Sequence, residues 1–234
     1  MKRFLSRTAI VSILLLLVSG SYAHSAPKPK NKVQDPAIMT LVHAIPATFG
    51  ADKVDIYANE TLVFNDAQPG MSKTFSIESG LQKVAIYADG STPTSGAAAI
   101  LSYRPVYMSH GMDLSYVAHL DSNSKPTLSL FKNKNTEPGR KRAWLTVRHV
   151  AAAPAVDVKT GALTLFRSLS SGLERKVSLR LGAYPVSVVL AGTSTNALPA
   201  TSVDIKDEKN LIVYVWGSAA KANLQYLNQI VNTK

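Results

Sequence analysis

Residues 54–90, VDIYANETLVFNDAQPGMSKTFSIESGLQKVAIYADG, have a second edition in the same chain. Shifted by 102 positions, they lie without a gap on residues 156–192, VDVKTGALTLFRSLSSGLERKVSLRLGAYPVSVVLAG. Val54/Val156, Asp55/Asp157, Phe64/Phe166, Gly70/Gly172, Ser76/Ser178, Gly80/Gly182, Val84/Val186 and Gly90/Gly192 coincide. A period of about 100 residues is that of a whole small domain, not of a solenoid repeat. The sequence therefore predicts two copies of one unit.

Each copy reads as short runs punctuated by turn residues. Val54 and Ile56 alternate with Asp55 and Tyr57, Val84 and Ile86 with Lys83 and Ala85, and Leu128 and Leu130 with Thr127 and Ser129. Period-two alternation marks strands buried on one face. In the first copy the runs are 38–45, 54–58, 61–65, 73–77, 82–88, 98–108, 114–120 and 127–131, and the second repeats their order from 143 to 230. Pro105 inside one run predicts an edge or a bulge there. No long amphipathic helix interrupts the series. The expected fold is all-β: two tandem antiparallel β-sandwich domains of the immunoglobulin-like kind after a signal peptide. The expected boundaries are a signal peptide over 1–23, a flexible basic tether over 24–36, a first domain over 37–131, a basic linker over 132–142 and a second domain over 143–232. The linker, KNKNTEPGRKR, has no apolar anchor and is expected to let the domains reorient.

Lys2, Arg3 and Arg7 precede a short apolar run over 9–18, and Ser21 and Ala23 stand at the positions a signal peptidase reads. The run is too short for a spanning helix, and no later stretch approaches that length. The expected address is the periplasm, the cell surface or the medium. The chain has no Cys, so disulfides, four-Cys zinc sites and thiol nucleophiles are excluded, and each copy must be stabilised by its own core.

The net charge is +11 and unevenly spread. Residues 36–131 carry −3, residues 132–142 carry +4 and residues 143–234 carry +5. A basic half beside a slightly acidic half suggests a surface that meets anions. After export these would be anionic polysaccharide, lipid head groups or an acidic envelope protein; nucleic acid is not expected. Arg140, Lys141 and Arg142 are the densest cations, and Tyr103, Arg104 and Tyr107, gathered around Pro105, are the aromatic candidates for binding. Against this, most strand tyrosines of a sandwich are core or cross-strand partners.

One polar pair recurs: His43 with Asp55, and His149 with Asp157. A His and a carboxylate this close could begin a general base. They could equally be structural, the Asp capping turn backbone. The first copy has four extra residues between them, and an insertion inside a catalytic pair favours the structural reading, because catalytic geometry tolerates little displacement. One His and one Asp per copy fall short of a zinc set. Ser218 to Lys221 and Lys159 to Gly161 match S-x-x-K and K-T-G, but in reversed order and without S-D-N. No catalytic residue, metal or cofactor is expected.

The runs VRHVAAAPAVDV, LGAYPVSVVLAG and LIVYVWGSAAKANLQYL resemble an exported bacterial family known as domain of unknown function 4397. The resemblance covers nearly all of both copies and is better in the second, since the first carries the insertion and has Ala51-Asp52-Lys53 where Pro-Ala is usual. It implies a secreted or envelope β-sandwich and supplies no activity. In size, export and tandem β domains the chain is also similar to periplasmic accessory proteins of exopolysaccharide acetylation, which act as adaptors. The expected function is a non-enzymatic envelope module, binding or structural, for polysaccharide or protein partners; a hydrolase using the His–Asp pairs, an adaptor of exopolysaccharide modification and a purely structural surface or matrix protein are the alternatives.

Overall fold

Strands buried on one face alternate cleanly, but LVHA at 41–44 and LIVYVW at 211–216 are apolar at nearly every position. The computed structural model, which describes residues 34–233, shows why: these strands are covered on both sides. The signal-peptide expectation and residues 24–33 of the expected tether lie outside the described residues.

The first half contains β1 (Ala37–Ala44), β2 (Val54–Ala58), β3 (Thr61–Ala67), β4 (Ser72–Ile77), β5 (Gly80–Gln82), β6 (Val84–Ala88), β7 (Leu101–Ser102), β8 (Val106–Met108), β9 (Asp113–Leu120) and β10 (Pro126–Lys132). One sheet runs β10-β9-β1-β4 and the other β3-β2-β6-β7, with β5 and β8 as a separate ribbon. The second half contains β11 (Arg142–Ala152), β12 (Val156–Thr160), β13 (Leu163–Leu169), β14 (Leu173–Arg180), β15 (Gly182–Leu190), β16 (Asn196–Ile205), β17 (Lys209–Ser218) and β18 (Gln225–Asn232). Its sheets run β14-β11-β17-β18 and β13-β12-β15-β16. The strand order is the same in both halves. The all-β sandwich reading holds, and pairing is antiparallel except that β1 joins β9, and β11 joins β17, in parallel.

Two details depart from the expected strands. The run at 98–108 is broken into β7 and β8 across Tyr103-Arg104-Pro105, because Pro105 has no N–H to donate to a ladder; the second half keeps one uninterrupted strand, β16. The insertion between His43 and Asp55 is a single 3-10 turn, Ala47–Phe49, closed by Gly50.

Each half has its own core. Met39, Leu41, Ile56, Ile86 and Tyr116 are buried in the first, and Leu145, Val158, Val188, Val213 and Ile205 in the second. Fully burying one such side chain contributes about 1.5–3 kcal/mol. A third cluster lies between the halves: Val42, Ala44, Val117 and Phe131 meet Val150, Ile212, Tyr214 and Trp216. These belong to the reverse faces of the β10-β9-β1-β4 and β14-β11-β17-β18 sheets. The sandwiches are therefore packed sheet on sheet.

The seam also carries a network of polar groups. The guanidinium of Arg148, fully buried, donates to Glu174 Oε2 (2.9 Å), the Tyr214 hydroxyl (2.7 Å) and Asn133 Oδ1 (2.8 Å), and lies over the Phe131 ring at 4.5 Å. Asn133 Nδ2 donates to Asp113 Oδ1 at 2.6 Å and Ser115 Oγ at 2.9 Å. The Tyr214 hydroxyl and Ser115 both donate to Gln229 Oε1. Burial leaves such a network stable only if every member is satisfied.

The linker is consequently not the free hinge its composition suggested. It spans only residues 133–141, between β10 and β11. Asn133 is buried in the seam, the Lys134 carbonyl accepts from Asn210 Nδ2 at 3.0 Å, Asn135 Nδ2 donates to the Gly111 carbonyl at 2.9 Å, and the Thr136 carbonyl accepts from Trp144 Nε1 at 2.8 Å. Asn133 and the Lys134 carbonyl serve buried groups of the seam, and Asn135 and Thr136 tie the exposed side of the linker to the two halves.

Candidate functional site

The recurring His and Asp do not bond to each other. His43 Nε2 meets the Ala51 carbonyl at 2.6 Å, and Nδ1 accepts from the Ile45 N–H at 3.4 Å. His149 repeats this with the Pro154 carbonyl (2.9 Å) and the Ala151 N–H (3.4 Å). The insertion changes which carbonyl is met and leaves the arrangement intact. Burial lowers the pKa of both rings, opposed by the carbonyl each one meets, which favours the neutral ring that accepts at Nδ1. Asp55 accepts from the N–H groups of Asp66 (3.0 Å) and Gly90 (2.9 Å), and Asp157 from those of Ser168 (2.8 Å) and Gly192 (3.3 Å). Asp66 and Ser168 sit in the left-handed region at φ 51° and 49°, beside the register shift in each β2/β3-type hairpin. The carboxylate thus ties a bulge to a turn in both halves.

Of the aromatic candidates, Tyr103 and Tyr107 do not form one platform. Tyr103 turns inward onto Tyr116, ring centroids 5.6 Å apart and nearly perpendicular. Tyr107 faces outward and is 61% exposed, and Arg104 is exposed between them. The break at Pro105 points the two rings opposite ways.

Among the described residues, Asp55, Asp66 and Asp89 bring carboxylate oxygens within 4.8 Å of one another. The cation at this cluster is Lys53, whose Nζ lies 2.9 Å from Asp66 and 3.6 Å from Asp89, while Asp55 already binds two backbone N–H groups. The second half has Ser168 and Ala191 where the first has Asp66 and Asp89.

The basic candidates are brought together, with a fourth cation added. β11 pairs with β14 so that Arg142 faces Arg180, and Leu181 N–H donates to the Lys141 carbonyl at 3.3 Å. Arg140, Lys141, Arg142 and Arg180, with Leu181, line a cleft of about 390 Å³. Arg142 is fixed by donating from Nε to Ser178 Oγ (2.7 Å) and from Nη2 to the Ser178 carbonyl (2.5 Å). Arg140, Lys141 and Arg180 have no ion pair among the described residues, and no carboxylate lines the cleft. Like charges gathered this way repel, and an anion relieves that repulsion. Arg180 was missed in the sequence because the charge count identified the linker, whereas the register that places residue 180 opposite residue 142 is a long-range pairing.

Fold and cleft define a duplicated β-sandwich protein with a cationic recess and a histidine–aspartate frame built into its backbone. The chain belongs to the family described as Domain of unknown function (DUF4397), whose family model matches residues 37–159, more than half of its length. That match covers the first half and enters the second as far as β12. No curated protein matches the chain.

Proposed function

We propose that this is an exported, non-enzymatic protein of the cell envelope whose basic cleft binds an anionic polysaccharide. The observation that carries the reading is the convergence of Arg140, Lys141, Arg142 and Arg180 on one cleft without a carboxylate among its lining residues. Guanidinium groups suit planar carboxylates and sulfates by paired hydrogen bonds, and Arg142 is already oriented by Ser178. The pattern of residues 1–23 supports export. The hydrogen bonds of His43 and His149 give the hydrolase alternative no support, since both ring nitrogens meet backbone. An adaptor of exopolysaccharide modification would use the same cleft.

Retention of the purified protein on immobilised polygalacturonate tests this. Retention that falls with salt, and falls further in a variant carrying Arg140→Glu, Lys141→Glu and Arg180→Glu, is the expected result. Equal retention of the variant overturns the assignment. Capture of an acidic envelope protein through these residues, without retention on the polymer, moves the reading to a protein partner.

A further inference from the structure

A second recess lies in the first half and shares no lining residue with the basic cleft. Along β2, Val54, Ile56 and Ala58 face the core, and Asp55 and Tyr57 face away; along β6, Ala85 and Tyr87 do the same. The register places Tyr57 opposite Ala85 and Asp55 opposite Tyr87, so the two tyrosines are diagonal neighbours on the outer face. Their rings meet edge to face, with centroids 5.4 Å apart and planes at 83°. The outer face of an antiparallel sheet is commonly wet, yet Tyr57 is only 6% exposed. The chain after β6 folds back over it: the Tyr57 hydroxyl donates to the Ser91 carbonyl at 3.2 Å, and Pro93 lines the recess. The cavity has a volume of about 430 Å³, in the range of small-molecule sites, about 300–1,000 Å³.

Its rim is polar and partly fixed. Asn59 Nδ2 donates to the Leu81 carbonyl (2.8 Å) and Gln82 Oε1 (3.0 Å), and Asn59 Oδ1 accepts from the Lys83 N–H (2.9 Å). The side chains of Glu60 and Lys83 reach the same cavity and have no hydrogen-bond or ionic partner among the described residues. Glu60 is held at φ 66°, a conformation that disfavours any residue with a β-carbon.

The duplication supplies an internal comparison. Asp55 and Gly90, which the fold uses, are identical in the second half. The pocket residues are not: Lys159, Gly161, Val189 and Thr195 stand where the first half has Tyr57, Asn59, Tyr87 and Pro93. The same strands form without them, so folding does not require this set of side chains.

We infer that this recess binds a neutral pyranose unit of a polysaccharide. The apolar face of a pyranose packs on an aromatic ring, while its hydroxyls need acceptors and donors at the edge. The wall provides the Tyr87 ring and Pro93, with the covered Tyr57 ring supporting Tyr87 from the side, and the rim provides a free carboxylate and a free ammonium. One negative and one positive group leave no net charge, so a cationic ligand meets Lys83 and an anionic ligand meets Glu60. The site is independent of the basic cleft, and either assignment can fail alone.

Saturation-transfer NMR on the purified protein with cellohexaose, laminarihexaose and mannohexaose in turn is the test. Transfer to the ring protons of at least one of them is expected, with about tenfold weaker binding in Tyr87→Ala and no change in Arg140→Glu/Arg180→Glu. Glu60→Gly, which suits the left-handed backbone, is expected to raise the melting temperature while weakening binding. That outcome separates a ligand-binding role from a structural one, and it does not depend on Tyr87→Ala folding well. No transfer from any of the three sugars, or transfer unaltered in both Glu60→Gly and Tyr87→Ala, overturns the inference.

Discussion

Gln229, on the last strand, donates from Nε2 to Thr40 Oγ1, on the first strand, across 3.0 Å and 189 residues of chain. Its Oε1 accepts from Tyr214 and Ser115, so one amide joins β18, β17, β9 and β1. This contact places the two halves in a single polar network centred on Arg148. Arg148→Ala is expected to cost about 3 kcal/mol or more, because it removes one buried donor from Glu174, Tyr214 and Asn133 at once. Urea unfolding monitored by tryptophan fluorescence measures this, and a loss below about 1 kcal/mol would show that the network contributes little.

Gly70 and Gly172 occupy the same place in the two halves, both at φ 82°, and each donates its N–H to the matching histidine carbonyl at 2.7 Å. Alanine in the left-handed region costs about 1–2 kcal/mol at either position. At Gly70 a β-carbon would also stand 3.1 Å from the Trp216 ring, whereas at Gly172 it would meet open space. Gly70→Ala is therefore expected to destabilise more than Gly172→Ala and, alone of the two, to shift tryptophan emission. Equal melting temperatures for the two variants would contradict the packing across the seam.

Removing a frame carboxylate should matter without touching any ligand. Asp157→Ala strands the N–H groups of Ser168 and Gly192, at a cost of about 1–3 kcal/mol, and Asp55→Ala does the same to Asp66 and Gly90. Those N–H bonds come first among the causes that lower the Asp157 pKa from 3.8. Stability from this group is thus present above that value and lost as pH falls through the lowered one. Thermal melts of both variants check the size of the effect, and retention on polygalacturonate should not change.

Three buried histidines should make the protein acid-sensitive. Burial lowers the pKa of His43, His119 and His149 from 6.5. The unfolded chain binds protons there before the folded one does, so their contribution is full above 6.5 and is lost as pH falls through the lowered values. Asp113 has the opposite sign, because burial raises its pKa from 3.8, against the pull of Asn133 and Arg148. A series of melts from neutral to acid pH should show the melting temperature falling below 6.5, and His149→Gln should flatten that slope. A slope unchanged by the substitution would assign the sensitivity elsewhere.

Much of the architecture was legible in the residues. The shared spacing of Asp55, Gly70 and Gly90 with Asp157, Gly172 and Gly192 predicted the repeat, and alternation predicted most strands. The parallel joining of β1 to β9 was not legible, because alternation reports which face is buried and not which strand lies alongside. The seam was hidden for a related reason. Val42, Val117 and Val150 are apolar on a face expected to be wet, but single exposed valines are ordinary in sandwiches. Arg148 and Asn133 looked like surface charge and linker polarity; only the fold reveals them as partners. The basic cleft was half legible, since Arg140 to Arg142 are adjacent in sequence while Arg180 arrives through strand register. The pocket under Pro93 was the least legible: Tyr57 and Tyr87 looked like two of many strand tyrosines, and their closeness depends on the β2/β6 pairing.

Both halves turn the same surface of the same sheet towards the seam, Val42 and Val117 from one copy and Val150 and Tyr214 from the other. A lone copy meeting another molecule of itself through that surface would form a pair that comes apart on dilution. Joining two copies in one polypeptide makes the encounter unimolecular, so the integrity of the assembly no longer depends on how much of the protein is present.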